Sequence, residues 1–201
     1  MGQARHRVLW PRIAASLVLL LFAAWAGRQA LGNFLQLAPA DYIDRVLAGR
    51  APALPAQLAL ARAQLERACR IDPGNPYAWE YLAQTALLVA RQPHADVTAA
   101  LRDAENDYRR ALVLRPNSGY LQAGDMTSLY LLSRETALTA PQARRMHDAM
   151  IAAVRMAPWE KQVLSQVMDV AIGERASLDA GQRAALQIAA QHLILLGGVA
   201  R

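Results

Sequence analysis

Three prolines, Pro73, Pro116 and Pro158, stand 43 and 42 residues apart, and each closes the same spaced pattern. Ala61, Leu65 and Ala68 precede the first at fixed steps, Ala104, Tyr108 and Ala111 the second, and Met146, Met150 and Ala153 the third. Self-similarity at a fixed period marks stacked supersecondary units, none of which buries its apolar face alone. The three- and four-residue steps give each unit one apolar helical stripe. Proline then ends each helix, because it lacks the N–H and clashes with the preceding turn. Start signals follow the prolines: Asn75 before Pro76, Asp96, Ser118, Thr139 before Ala-Pro, and, beyond the last, Ser177. These spacings predict an all-α repeat domain over 55–201. Ala68, Ala111 and Ala153 are expected at the closest helix–helix contacts.

Composition agrees with helices. Ala and Leu dominate, Phe occurs twice, and 54% of residues are hydrophobic, too apolar for disorder. The single Cys excludes an intrachain disulfide and a cysteine zinc site, so Cys69 reads as a buried apolar residue. The formal charge of +6 suggests nucleic acid at first sight. However, Arg5, Arg7, Arg12 and Arg28 lie within 1–30 without an acid, which leaves 18 basic against 16 acidic residues elsewhere. A nucleic-acid footprint needs clustered basic residues on one face, and only Arg109–Arg110 and Arg144–Arg145 come near that. No nucleic-acid partner is expected.

Residues 1–30 read as a cytoplasmic stub and membrane anchor. The run Ile13–Gly27 is uncharged, and counting from Val8 gives twenty residues, enough to cross about 30 Å of hydrocarbon, with Arg12 near the end where its guanidinium can snorkel to phosphates. Residues 8–27 then span, with Trp10 and Trp25 at the two interfaces. Ala24-Trp25-Ala26 also fits a signal-peptidase site, so a cleaved signal peptide stays open. Either way, the basic residues before the span predict a cytoplasmic N-terminus and an exported C-terminal domain. One Lys against 21 Arg suggests a GC-rich bacterial genome, and hence the inner membrane and periplasm. Residues 31–54 read as a linker holding a short helix from Asp41 to about Gly49.

The spaced pattern resembles the tetratricopeptide repeat, in which two small residues flank a large one and let antiparallel helices approach. Trp79-x2-Leu82-Ala83 matches that repeat's first-helix motif with Ala in the Gly place, whereas Tyr120-Leu-Gln-Ala-Gly-Asp does not keep it. The period exceeds the usual 34 by eight or nine residues. More specifically, Arg109-Arg-Ala-Leu-Val-Leu-Arg-Pro116, Ala157-Pro-Trp-Glu160, Gln162-Val-Leu-Ser-Gln-Val and Ser177-Leu-Asp-Ala-Gly-Gln-Arg183 occur in an order that resembles VpsP-type proteins. These are membrane-anchored, tetratricopeptide-like proteins of bacterial exopolysaccharide biosynthesis. The resemblance implies a periplasmic scaffold that binds other proteins of an envelope polysaccharide assembly machine, with no catalytic residue and no cofactor. An assembly chaperone of another export or cytochrome-maturation system is the alternative.

Residues able to do chemistry are sparse. The four His have no metal-ligand spacing, and no phosphate loop or nucleophile elbow occurs. Asp103, Glu105 and Asp107 read as a solvated, charge-paired helix face. The paired carboxylates of a glycosidase are not evident. Recognition remains: the first helix of each pair lines the concave face of a solenoid, and helical phase places Tyr77, Glu80, Gln84, Tyr120 and Tyr130 there. Structural roles fall to Ala68, Pro73, Trp79, Ala111, Pro116, Ala153, Pro158 and Trp159. Trp159 is expected to fold back, buried, onto the Ala153 end of the preceding helix. Exposed, it would instead offer a stacking face to a glycan.

Overall fold

The computed structural model describes residues 3–175 and 178–197, with side chains from residue 14 onward. All regular structure there is helical: α1 (Gln3–Leu47), α2 (Pro55–Ile71), α3 (Pro76–Ala90), α4 (Val97–Leu114), α5 (Gly119–Glu135), α6 (Ala140–Met156), α7 (Lys161–Gly173) and α8 (Ala180–Leu195). Consecutive helices pack as antiparallel hairpins, α1/α2, α3/α4, α5/α6 and α7/α8. The first helices touch one another in order, α1 to α3 to α5 to α7, and form one layer, with α2, α4 and α6 outside it.

The proline period is realised as one repeated joint. The helices before Pro73, Pro116 and Pro158 end two residues earlier, and the cap N–H of Asp72, Arg115 and Ala157 donates to the carbonyls of Ala68, Ala111 and Ala153 at 2.8, 2.9 and 3.0 Å. Those alanines are 1%, 0% and 0% exposed, so each small residue is buried in the packed interior at its joint. Two residues after each proline stands the next N-cap: Asn75, Ser118 and Glu160. Asn75 and Ser118 accept from the first-turn N–H groups, as their chemistry requires. The extra length of the period lies in helices of 15 to 18 residues and in the six-residue 91–96 loop.

The weak second motif has a physical reason. Gln122 occupies the register of Trp79, and its Nε2 donates to the carbonyl of Pro116 at 3.3 Å as Trp79 Nε1 does to Pro73 at 3.0 Å. Asp125 occupies the register of Leu82. Gly124 is required because Tyr108 fills the space a side chain would need.

Four expectations are corrected. Residues 31–54 hold no spacer with its own short helix, because α1 runs unbroken through Pro39 to Leu47. An interior proline costs about 3 kcal/mol, and docking on both sides of it offsets that. Asn33 and Gln36 upstream bond Asn75, while Ile43 downstream is buried against Leu58, Ala61 and Leu88. Gly49, at φ +68°, stops the helix where expected. Ser177 lies outside the described residues, and Asp179 caps α8 through a capping box with Gln182. Proline does not open α7, which starts three residues after Pro158, with Glu160 as N-cap. Trp159 is not buried: it is 57% exposed and stacks on His192 of α8 at 3.9 Å.

α1 is long and apolar enough to cross a membrane, from Ala14 to Leu47. Its outer part stands free of the domain, with Leu17 to Phe22 and Trp25 exposed. Trp10 falls among the residues whose side chains are not described.

Candidate functional site

Where α2 and α4 flank α3, the outer face opens into a groove of about 480 Å³. Its rims are charged. Arg62 on α2 donates through Nε to Glu66 at 3.0 Å and through a terminal nitrogen to Asp103 on α4 at 2.8 Å. Trp79, Leu82 and Cys69 form the floor. Arg110 lies over the Trp79 ring at 4.6 Å and 3.7 Å from Asp107. Burial pushes the Asp107 carboxyl up to about 6 against the pull of Arg110, so the group exchanges its proton near neutral pH. Burial also pushes the Cys69 thiol up to about 12, which keeps it protonated and poorly nucleophilic. A second groove of about 360 Å³ repeats the arrangement one hairpin on, between α4 and α6 over Gln122 and Asp125 of α5.

The acidic run Asp103–Glu105–Asp107 is not one solvated face. Asp103 and Asp107 border the first groove, but Glu105 is 6% exposed and turns inward. There it accepts from Arg145 at 2.8 Å and from Gln142 at 3.0 Å. Arg145 also binds Asp125, which is 0% exposed. These two buried carboxylates share the partly exposed Arg145 and tie α4, α5 and α6 together, so the Arg145 charge is already paired and adds little to a basic surface. Nothing in the spacing announced it, since its members are 20 and 40 residues apart.

The five concave-face candidates separate into three environments. Tyr77, half-exposed, carries the Arg115 guanidinium 4.7 Å above its ring. Glu80 lies one turn on, its carboxyl pushed up by burial with Arg115 opposing. Gln84 continues the stripe, and its Oε1 is buried without a partner among the described residues. Tyr120 is on the next hairpin, where its hydroxyl donates to Glu160 at 2.6 Å and is itself pushed up by that bond. Tyr130 is elsewhere, packed against the core of the last two hairpins, with its hydroxyl over Gly173. Tyr77, Glu80 and Gln84 thus lie along α3 on successive turns, with Arg115, which phase does not point to, beside them.

Those contacts form a ladder along one end of the domain. Asn33 and Gln36 meet Asn75, Tyr77 meets Arg115, Tyr120 meets Glu160, and Trp159 meets His192, whose Nδ1 lies 2.5 Å from the Pro158 carbonyl. Among the described residues, no group of three His, Cys, Asp or Glu could hold a metal ion. Compared with known proteins, the chain matches no family model and no curated protein.

Proposed function

We propose that this chain is a membrane-tethered helical-repeat scaffold that holds protein partners of an envelope polysaccharide assembly machine at the periplasmic face of the inner membrane. The observation that carries the tether is the unbroken α1, in which an apolar stretch long enough to cross a bilayer becomes the first helix of the first hairpin. The basic residues ahead of that stretch support a cytoplasmic N-terminus. The polysaccharide setting rests on the Arg-Pro, Ala-Pro-Trp-Glu and Gln-Val-Leu-Ser segments that resemble VpsP-type proteins.

The partner surface is the pair of outer grooves. Their repeated form, with Arg62, Asp103 and Arg110 along the first, suits a partner segment that crosses successive hairpins and exchanges charges with them. A thiol held protonated favours recognition over nucleophilic catalysis in this groove. The test is capture from detergent-solubilised membranes with the intact chain and with Arg62→Glu/Arg110→Glu. Recovery of glycosyltransferase or polymerase subunits by the intact chain, lost in the variant, supports the reading. Recovery of haem-lyase or secretion components instead, or of no envelope-assembly protein, refutes it.

A further inference from the structure

The continuity of α1 fixes which end of the repeat domain meets the membrane. If residues 8–27 fill the hydrocarbon, the first docked residue, Gly32, follows about 7 Å later at 1.5 Å per residue, which is the thickness of one headgroup layer. Gly32 packs directly on α2 at its C-terminal end, 2.8 Å from Asp72 Cβ for a side chain placed there. Because the hairpins alternate up and down, the turns at Pro73, Pro116 and Pro158 lie at this same end. The ladder of contacts from Asn33 to His192 runs along it. The opposite tips, at 48–54, 91–96 and 136–139, lie one helix length farther out, about 25 Å.

The two ends differ in chemistry. The membrane-side end exposes Val113 at 79%, Trp159 at 57%, Met156 at 41% and Leu114 at 39%, with Ile194 and Leu195 at the end of α8. Beside them stand Arg70, Arg155 and Lys161, all exposed and in no ion pair among the described residues, and Arg115, half-buried on Tyr77. The acids there are engaged: Asp72 is buried and Glu160 accepts from Tyr120. At the outer tips both signs alternate, as in Arg91 with Asp96 and Arg134 with Glu135. Basic side chains beside an exposed indole and aliphatic tips match an anionic phospholipid surface, where indoles settle at headgroup depth and cations meet phosphates.

From this juxtaposition we infer that the inter-hairpin turns rest on the bilayer that α1 crosses. Trp159, Met156, Val113 and Leu114 enter the headgroup layer, and Arg70, Arg115, Arg155 and Lys161 contact anionic lipid. The domain therefore lies against the membrane and directs its outer grooves sideways along it. This inference rests on α1 crossing the membrane and is independent of the partner's identity.

The test uses the full chain in nanodiscs of phosphatidylcholine containing one quarter phosphatidylglycerol. A fluorescent donor is attached to a cysteine at Asn117, or at Gln92 on an outer tip, and an acceptor is carried on the lipid headgroups. Cys69 is buried and does not compete for label. Transfer from Asn117 is expected to exceed that from Gln92 several-fold. Arg155→Glu/Lys161→Glu, whose side chains are exposed, is expected to reduce the Asn117 signal, as is replacing phosphatidylglycerol by phosphatidylcholine. Brominated lipid is expected to quench Trp159, read with Trp10 and Trp25 changed to Phe against the matching Trp159→Phe protein. Equal transfer from the two ends overturns the inference. So does an Asn117 signal indifferent to charge reversal and lipid charge, or a Trp159 that soluble saccharide protects and bromolipid does not quench.

Discussion

Arg145 donates through Nε to one oxygen of Asp125 at 3.0 Å and through a terminal nitrogen to the other at 3.2 Å, in a site where Asp125 has no solvent exposure. The same guanidinium serves Glu105, so one cation neutralises two inward carboxylates on two helices. Removing it leaves both uncompensated. Arg145→Met is expected to destabilise the domain by about 3–5 kcal/mol, the usual cost of breaking a buried ion pair from one side. Urea unfolding followed by circular dichroism measures it, and a loss below about 1 kcal/mol would remove the triad from the core of the fold.

The Asp107 carboxyl gives a pH signature. It titrates near 6 when folded and near the ordinary value of about 4 when unfolded, so the folded state holds its proton more tightly. Its contribution is therefore fully present below about 4 and is lost as the pH rises through about 6. The change in urea midpoint between pH 7 and pH 5 should be more favourable to folding in the intact chain than in Asp107→Asn. Identical pH dependence in the two proteins contradicts the assignment.

The repeated joint predicts intolerance of added volume. At Gly119 a side chain would collide with Ala157 Cβ and lie 3.1 Å from the Ala157 backbone nitrogen. Gly119→Ala and Ala111→Leu are each expected to cost about 1–3 kcal/mol through overpacking. Thermal melting of both variants checks this. An unchanged melting temperature at Ala111 would count against the alignment on prolines.

His94 adopts φ +63° in the loop between α3 and α4, exposed and in the left-handed region that side chains resist. His94→Gly is expected to stabilise by up to about 1 kcal/mol, and His94→Val to destabilise by about as much or more, because β-branched residues suit that region least. Calorimetry of the two variants should show shifts of opposite sign.

The joints were legible because they are local. Proline, the small residue five positions before it and the cap two positions after it all act within one turn, and the spacing exposes all three. Long-range pairing was not legible. Glu105 looked like its neighbours Asp103 and Asp107 until α6 brought Arg145 to it from 40 residues away. The linker reading of 31–54 fails for a related reason: the local preference of Pro39 to break a helix is outweighed by Ile43 and Asn33 docking on α2 and α3. Trp159 was read as buried because Ala153 lay within reach, yet the end of α8 supplies His192 as a partner that no local pattern reveals. The stripe Tyr77–Glu80–Gln84 followed from phase alone, whereas Tyr130 shares the phase and packs inward because Gly173 leaves room for its ring.

Everything said about how the domain is held depends on α1 being one rigid piece from the membrane into the first hairpin. Nitroxide labels on cysteines at Trp25 and Leu47, both exposed, with the full chain in nanodiscs, measure that directly by pulsed electron spin resonance. Twenty-two helical residues at 1.5 Å each predict a single narrow distance distribution centred near about 33 Å before the reach of the labels is added. A broad distribution, or one centred well below that length, would mean a hinged linker between anchor and domain and would contradict the tether described here.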